Sequence, residues 1–449
     1  MGQSFRIKKG LKINLVGEAE KVLSNSTSKH YAIKPTDFVG LIPKLVVKEG
    51  DEVEAGSAIF YNKNNPAIQF CSPVSGEIAE IVRGEKRKIL EIRIIADSEI
   101  KYKDFGSADV NQLSKEKVSE KMLEAGVWPF VIQRPYSVVA NPAEYPKAIF
   151  ISGFDSNPLA ADVDFITHDK AADFQAGIDA LGKLTEGKVY LGLRGDTKSS
   201  DALSNAKGVE VADFVGNHPA GNVGVQINKI APINKGEKVW TVAPQDVLII
   251  GKLFNSGKYD AARTIALAGS EVSKPKYYKT LIGASIKSIV DGNINEGNSR
   301  IISGNPLTGN QVDLDGYLGT YNNSITVIPE NEESRFVGWL TPNLDKLSMS
   351  RTYFSWLTPS KKYALNTCQN GEDRAFTVTG EYEKVFPFDI YPVQLLKAII
   401  TNDIENMENL GIYEVAPEDF ALCEFVCTSK LSLQKIVREG LDLMLQEVG

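Results

Sequence analysis

Four cysteines and three histidines are the residues of this 449-residue chain best suited to metal or redox chemistry. Cys423 and Cys427 are four residues apart, which places both thiols on one face of a helix. Iron–sulfur clusters are usually held by C-x-x-C runs, and a structural zinc site needs four converging ligands. His30, His168 and His218 each lie more than one helical turn from any other histidine or cysteine. The spacing therefore predicts no metal site and places the cysteine pair in the core as small apolar side chains.

Glycine-rich loops that hold nucleotide phosphates are the second chemistry to consider. Neither the dinucleotide fingerprint G-x-G-x-x-G nor G-K-S/T occurs in the chain. Gly216, Gly221 and Gly224 follow a predicted strand, but their intervals do not match, and the fingerprint uses all three of its glycines. They are interpreted as loop glycines. No Ser/His/Asp set, carboxylate dyad or activated cysteine is indicated by local spacing, so no catalytic residue is predicted.

Two polar loops are the best candidates for a ligand site. Asp155-Ser156-Asn157-Pro158 and His218-Pro219-Ala220-Gly221 each follow a predicted strand. Ligands of open parallel sheets bind at the carboxyl ends of the strands, which makes Asn157 and His218 cofactor-binding candidates. Asn-Pro and Pro-Ala-Gly are also good turn formers without any ligand. The sequence leaves both interpretations open, because no acid or base partner can be named for His218.

An aromatic and cationic cluster lies between a predicted helix and a predicted strand. It contains Trp128, Phe130, Arg134 and Tyr136. Such side chains are enriched at interfaces, which makes them candidates for contact with a partner. Aromatic residues also fill cores, which is the competing interpretation.

The elements that position these residues begin with a β-rich N-terminal region. Leu41–Phe60 and Ser72–Ile94 resemble the two halves of a biotinyl/lipoyl-type barrel. A carrier domain presents a modifiable lysine, usually beside methionine, in the hairpin between its halves. Here that hairpin, Asn62–Cys71, has Lys63 without a Met-Lys signature. The barrel is therefore predicted to be a docking surface. Alternating apolar residues over Phe5–Val16 predict a further strand with a bulge at Gly10.

Strands and helices then alternate, which indicates an α/β multidomain fold with a parallel sheet. The helix Lys170–Leu184 lies between strands Lys147–Gly153 and Lys188–Leu193. Two strands, a short helix and a return strand follow, a β-grasp pattern. The predicted order is a biotinyl/lipoyl-like β domain (1–104), a Rossmann-like α/β domain (105–255), a β-grasp, SLBB-like domain (256–330), a β-rich extension (331–384) and a C-terminal helical region (385–449).

Composition excludes several classes of function. The hydrophobic content of 43% and charged content of 24% are typical of a globular protein, and a net charge of −7 without a basic tract excludes nucleic-acid binding. Apolar runs such as Val247–Gly251 are far shorter than the roughly 20 residues of a membrane helix. The N-terminus lacks the apolar core of a signal peptide. We therefore expect a cytosolic chain that meets a membrane through a partner.

A series of short motifs is spread along the chain in a fixed order. They are IKKGL (7–11), GDEV (50–53), NPAIQFCSPVSG (65–76), RPYS (134–137), DSNPLAAD (155–162), GKVY (187–190), HPAG (218–221), LAG and KP (267–275), RIISG (300–304) and ALCEFVC (421–427). Their order resembles that of the A subunit of the sodium-translocating NADH:quinone reductase (Na+-NQR), over essentially the full length. More distantly, the layout resembles the C subunit of the Rnf complex and the flavin-bearing subunit of respiratory complex I.

The resemblance implies a peripheral subunit on the cytoplasmic side of the bacterial inner membrane. Its complex would oxidise NADH, reduce ubiquinone and export Na+, using flavins and iron–sulfur centres carried by other subunits. The partners would be membrane subunits, chiefly the flavin-carrying B subunit. A possible ubiquinone contact would be at the cluster of Trp128, Phe130, Arg134 and Tyr136. Because the flavin loop and the cluster cysteines of the distant relatives are missing, the chain is predicted to bind no cofactor of its own. The alternative is a flavin-binding electron-transfer subunit of the complex I or Rnf type.

Overall fold

Two small antiparallel sheets form the predicted barrel in the computed structural model, which describes residues 2–331 and 343–449. The four-stranded sheet has the order His30–Ile33, Ile89–Ala96, Gly76–Arg83 and Glu52–Val53, and the three-stranded sheet has the order Pro43–Leu45, Ala58–Asn62 and Asn65–Cys71. The side chains buried between them include Ile59, Phe60, Ile78, Ile92 and Ile94. The barrel-sandwich prediction is confirmed. Lys63 lies exposed in the turn that joins two strands of the smaller sheet.

A seven-stranded sheet, here called the α/β sheet, forms the second unit and confirms the predicted α/β fold. Its order is Gln3–Arg6, Glu210–Val215, Lys188–Arg194, Ala148–Ser152, Val239–Thr241, Ile132–Arg134 and Val138–Val139. The first five strands are parallel, and the last two are antiparallel to their neighbours. Strands that are covered on both faces need continuous apolar runs, as in the buried Ala148–Ile151.

The N-terminal strand corrects one expectation from the sequence. The strand predicted over Phe5–Val16 ends at Arg6, which pairs with Val215, the last residue of the neighbouring strand Glu210–Val215. This first strand belongs to the α/β sheet, where Phe5 stacks on Phe214 with ring centroids 5.2 Å apart. The first strand of the two barrel sheets is His30–Ile33.

Six helices accompany the α/β sheet in the described part of the chain. They are Lys115–Glu124, Val163–Thr167, Ala171–Lys183, Asp201–Ser204, Val223–Ile230 and Pro244–Ser256. Pro244 begins the last of these at a position where its missing N–H costs nothing, and Gly257, with φ of 71°, ends it. The helices that contain Gly177 and Gly251 pack closely, since a Cβ on Gly251 would lie 1.7 Å from the carbonyl oxygen of Asp173. Glycine is required at that crossing.

A six-stranded sheet with a short helix, Lys287–Val290, forms the β-grasp unit. The strand order is Asn310–Val312, Ser299–Ser303, Ser324–Pro329, Ala262–Ala268, Lys276–Leu281 and Glu20–Asn25. The two predicted strands, the helix and the return strand are all present, which confirms the β-grasp prediction. A segment from the N-terminal region, Glu20–Asn25, completes the sheet by pairing parallel to Lys276–Leu281.

A buried ion pair ties the last α/β helix to this sheet. Arg263 Nη2 lies 2.5 Å from Asp246 Oδ1, and both side chains are almost fully buried. The same nitrogen donates to the carbonyl oxygen of Thr320 at 2.9 Å. Burial raises the pKa of Asp246, and the attraction of Arg263 opposes that rise. Removing one partner would leave an uncompensated charge in the interior, so the pair fixes how the two units meet.

The segment predicted as a β-rich extension at 331–384 is different in the structure. Residues 332–342, with Phe336 and Trp339, lie outside the described residues. Residues 343–384 contain a 3-10 helix at Phe354–Leu357, a short helix that begins at Tyr382 and an isolated bridge between Tyr363 and Leu15, with no strand among them. Aromatic content suggested strands, but the segment lacks the two-residue alternation that a strand needs to present one buried face.

The C-terminal region is helical, as predicted, and packs on one face of the α/β sheet. Its helices are Tyr382–Val385, Pro392–Ile400, Ile404–Asn409, Ala421–Val426 and Leu433–Glu447, and it also contains the 3-10 helices Ile412–Glu414 and Pro417–Phe420. Other 3-10 helices lie in the preceding units, at Pro35–Asp37, Glu85–Arg87, Val110–Gln112 and Trp128–Phe130. The predicted helix of Leu433, Val437, Leu441 and Met444 has these four side chains buried. Within residues 2–331 and 343–449, no helix is long and apolar enough to cross a membrane.

Candidate functional site at the strand ends

The structure brings the two predicted strand-end loops together. Ser156 Oγ lies 3.0 Å from His218 Nδ1 and accepts the backbone N–H of Gly221 at 2.8 Å. Because the hydroxyl oxygen accepts from Gly221, its own hydrogen is free to be donated to Nδ1. Nε2 of His218 is buried and has no hydrogen-bond partner among the described groups. The two loops therefore form one polar cluster at the carboxyl ends of the strands.

His218 is neutral in this cluster at physiological pH. Its side chain is buried, and burial lowers its pKa to about 4, because the charged ring would be poorly solvated. A general acid must carry a proton near the working pH, and an electrostatic anchor must carry a charge. His218 fits neither role above pH 5, and its contacts are those of a neutral ring that holds two loops together.

Asn157 is used by its own turn. Its backbone N–H and its Nδ2 both donate to Asp155 Oδ1 at 2.8 Å, which is the geometry of a turn closed by a side chain. Its Oδ1 is buried and has no partner in the described part of the chain. The turn chemistry therefore accounts for the donors of Asn157, and one acceptor remains unexplained.

The carboxylate of Asp419 lies against the first turn of the helix Val223–Ile230, which starts beside this cluster. A Cβ added to Gly224 would lie 2.6 Å from Asp419 Oδ2. Helix N-termini attract anions because their first N–H groups have no partner within the helix. In nucleotide-binding sheets a ligand phosphate takes that position. Here the Asp419 side chain, from the C-terminal region, fills the space beside Gly224, and its Oδ2 accepts the backbone N–H of Ala416 at 2.9 Å.

Arg134 connects this carboxylate to the rest of the cap. Its Nη2 lies 2.6 Å from Glu418 Oε1, and its Nη1 lies 3.6 Å from Asp419 Oδ2. Burial raises the pKa of Asp419 to about 7, while Arg134 opposes the rise and Glu418 adds to it. One guanidinium is shared by two carboxylates, and the closer contact is with Glu418. The contacts of Arg134 with these two carboxyl groups thus hold the C-terminal region over the strand ends.

The aromatic cluster predicted as a contact surface is inside the molecule. Trp128, Phe130, Arg134 and Tyr136 are all buried. The indole N–H of Trp128 donates to the carbonyl oxygen of Ala140 at 2.7 Å, and its ring packs edge-on against another tryptophan. These contacts satisfy the polar atom of Trp128 within the fold, and they are the ones expected of a core cluster.

The cysteine pair is also in the core, which confirms that interpretation. Cys423 and Cys427 are fully buried, and Tyr382 Oη lies 2.8 Å from Cys427 Sγ. Burial raises the pKa of the Cys423 thiol well above its usual value. In the part of the chain that the structure describes, no group of three or more His, Cys, Asp or Glu side chains could hold a metal ion.

The sequence did not reveal the side chains that close the strand ends. Arg134 is more than 280 residues away in sequence from Glu418 and Asp419, which it contacts. Gln226 packs so closely on Gly192 that a Cβ added to Gly192 would lie 2.2 Å from Gln226 Oε1. The single available signal is the run Pro417-Glu418-Asp419, whose proline and acids indicate the start of a helix and not a contact.

Two open clefts lie away from the strand ends. One, of about 540 Å³, is lined by residues that include Asp109 and Asp179. The other, of about 470 Å³, is lined by residues that include Lys147 and Lys238.

The architecture is that of a multidomain α/β protein in which a barrel, a parallel sheet and a β-grasp unit follow one another. Three family models match these units in the same order. They are the NqrA N-terminal barrel-sandwich hybrid domain over residues 5–97, the NqrA second alpha/beta domain over 113–259 and the NQRA C-terminal domain over 264–313.

Curated relatives match over the full length of the chain. The A subunits of the Na(+)-translocating NADH-quinone reductases of Photorhabdus laumondii and Yersinia pestis are 36% identical over 99% of this chain and 100% of their own length. The corresponding protein of Neisseria meningitidis is 37% identical with the same coverage. The chain therefore belongs to the family of the A subunits of Na(+)-translocating NADH-quinone reductases.

A solved structure, an NAD+-reducing [NiFe]-hydrogenase in its air-oxidised state, aligns with 76% of this chain and 62% of its own chain. The identity is 11% and the TM-score is 0.39, which is too low to support a statement about function.

Proposed function

We propose that this chain is the peripheral A subunit of a sodium-pumping NADH:ubiquinone oxidoreductase and that it carries no redox centre of its own. The observation that supports this proposal most is the 36% identity to proteins named as this subunit over 99% of the chain. In this role the chain supports quinone reduction and Na+ export that other subunits carry out. It is held on the cytoplasmic side of the bacterial inner membrane through the complex.

The strand-end geometry supports the absence of a nucleotide or flavin. A flavin phosphate at the start of the helix Val223–Ile230 would meet the Asp419 carboxylate, which lies against that turn. The Asp419 side chain takes up the space in which the phosphate would lie, and its ionised form would repel a second anion. Binding would therefore need the C-terminal region, which holds Asp419 and Glu418, to move away and break the contacts of Arg134.

The barrel is proposed as a surface for the membrane subunits, chiefly the flavin-carrying B subunit. Lys63 is exposed in its turn without the neighbours of a modified lysine. Ile42 and Val46 of the barrel region are each about half exposed, at 49% and 51%. We propose that these two side chains are part of the contact with the B subunit.

The test is assembly of the purified chain with the membrane subunits. Chain that contains no flavin or iron is added to a complex lacking its A subunit, and NADH-driven quinone reduction and Na+ transport are measured. The proposal expects both to be restored, together with crosslinks from the barrel to the B subunit. Ile42→Asp and Val46→Asp should weaken assembly, while Tyr145→Asp, which replaces an exposed aromatic residue outside the barrel, should not.

A flavin-binding electron-transfer subunit is the second candidate, and one observation favours it. His218 Nε2, Asn157 Oδ1 and Gln226 Oε1 are buried near the strand ends without a partner among the described groups, and a bound ligand would satisfy such atoms. This candidate predicts a stoichiometric flavin absorption in the purified chain that His218→Ala abolishes. A chain without flavin to lose contradicts it.

A ubiquinone contact through Trp128, Phe130, Arg134 or Tyr136 also remains a proposal. Because all four are buried, a quinone could reach them only where neighbouring segments separate in the complex. Labelling of the assembled complex with a photoreactive quinone tests this, since labels confined to other residues would contradict it.

A further inference from the structure

Residues 343–363 form a surface loop with two opposite faces, here called the aromatic loop. On the inner face, Tyr353 and Ser355 are buried. On the outer face, four large apolar side chains are left in solvent. They are Leu344 (58% exposed), Phe354 (39%), Trp356 (51%) and Leu357 (57%). Exposed apolar side chains are common singly, but four within fourteen residues mark a contact surface.

The aromatic loop is fixed to the body of the protein. The backbone N–H of Tyr363 donates to the carbonyl oxygen of Asn14 at 2.9 Å, and Asn14 Nδ2 donates to the carbonyl oxygen of Pro359 at 3.1 Å. Within the loop, the N–H of Tyr353 donates to Ser348 Oγ at 2.8 Å. The outer side chains are therefore held outward by a loop whose inner side is satisfied.

The charge of the aromatic loop is opposite to that of the whole chain. Residues 343–363 contain Lys346, Arg351, Lys361 and Lys362 against one acid, Asp345, while the chain has a net charge of −7. The Arg351 guanidinium lies 5.7 Å from the ring centroid of Trp356.

Two of the lysines already have acidic neighbours. Lys361 Nζ lies 2.8 Å from Asp345 Oδ1, and Lys362 Nζ lies 3.5 Å from Glu18 Oε2. Exposed pairs of this kind contribute only about 0–1 kcal/mol, so they can exchange for other anions at little cost.

We propose that the aromatic loop binds directly to an anionic phospholipid surface. Trp356 and Leu357 enter the headgroup region, where tryptophan is favoured because its ring is apolar and its N–H is polar. The basic side chains beside them meet lipid phosphates, each contributing about 1 kcal/mol near an anionic leaflet. Two weak signals, an apolar insertion and a basic patch, together give stable attachment.

The lysine content favours lipid over a protein partner. Protein interfaces are enriched in tryptophan and arginine but depleted in lysine. Three of the four cations in the aromatic loop are lysines. A lipid surface needs only positive charge close to it, which lysine supplies as well as arginine. The inference relies on the proposed function for one point, that the chain works beside a membrane.

Vesicle flotation of the full-length chain, with no other subunit, tests the proposal. Vesicles of phosphatidylcholine mixed with phosphatidylglycerol should carry the chain upward, and vesicles of phosphatidylcholine alone should not. Replacing both Trp356 and Leu357 with serine should lower partition about tenfold or more. Lys361→Gln with Lys362→Gln should do the same. The matched control is Tyr391→Ser, which removes an aromatic residue that is 69% exposed outside the loop.

The outcomes are separable. Thermal unfolding of each variant shows that the fold is intact, as expected for exposed positions. Equal flotation of wild type and the Trp356 and Leu357 variant, or equal flotation with and without anionic lipid, overturns the proposal. The proposal is also overturned if the wild-type chain does not bind vesicles and the variant with serine at positions 356 and 357 does not join the membrane subunits in detergent. That result would assign the loop to a protein partner. If the chain joins the membrane subunits normally but does not bind vesicles, this proposal is wrong and the proposed function is unaffected.

Discussion

Replacing Asp419 with asparagine should change how the stability of the C-terminal region depends on pH. Burial raises the pKa of Asp419 to about 7 in the folded chain, from 3.8 in the unfolded one. A carboxyl with a raised pKa contributes stability that is complete below the unfolded pKa and is lost as pH rises through the folded pKa. Within the range from pH 5 to pH 8, the two units from pH 5 to pH 7 lie between the unfolded and the folded pKa of Asp419. At about 1.36 kcal/mol per unit, the wild type loses about 2–3 kcal/mol over that range through this group.

The Asp419→Asn variant lacks this loss, because asparagine does not titrate. A chain of several domains does not unfold in one step, so the suitable assay is local. Hydrogen exchange of the backbone over residues 415–427, corrected for the intrinsic rate at each pH, gives the opening free energy of that segment. The opening free energy of the variant relative to the wild type should rise by about 2–3 kcal/mol from pH 5 to pH 8. Asp315→Asn, at an exposed position, is the control and should follow the wild type. Parallel pH curves for the Asp419 variant and the wild type would show that Asp419 is ionised throughout, and would refute the reasoning.

The remaining predictions concern the core. Arg263→Met should lower the free energy of unfolding by about 3–5 kcal/mol, because it leaves Asp246 buried without its counter-charge. The measurement is the thermal midpoint, which should fall. A variant in which both residues are made apolar should recover much of the loss. The ring of His218 should show no NMR titration between pH 5 and 8, and its low folded pKa should cost stability as pH falls from about 6.5 toward 4. Gly251→Ala should destabilise the chain strongly because its Cβ would meet a backbone oxygen, whereas Gly182→Ala, in open space on a helix, should raise the thermal midpoint or leave it unchanged.

Elements with a clear local pattern could be predicted from the sequence. The helix Ala171–Lys183 has its apolar residues at helical spacing and was predicted over Lys170–Leu184. The two strands, short helix and return strand of the predicted β-grasp pattern are also present. The helix Pro244–Ser256 was missed for the opposite reason. Ten of its thirteen residues are buried, so its sequence shows no alternation between a polar and an apolar face. The helix Val223–Ile230 was missed because the glycines at its start indicated a loop.

Features set by distant segments could not be predicted. The strand Gln3–Arg6 joins the α/β sheet because it pairs with Glu210–Val215, some 200 residues later in the chain. The candidate loops that contain Asn157 and His218 were each predicted at a strand end, and in the structure they meet through Ser156 and His218. Their closure by Asp419 could not be read from the sequence, since it depends on how the C-terminal region packs over the sheet.

The central claim is that this chain serves the sodium-pumping complex without a redox centre of its own. The most direct measurement is NADH-driven quinone reduction by a complex reassembled with the purified chain, after the visible absorption spectrum and iron content of that chain have been recorded. The account predicts a chain without flavin or iron that restores activity to a complex lacking its A subunit. Restoration that requires chain-bound flavin or iron, lost when they are stripped and regained when they are returned, would contradict it.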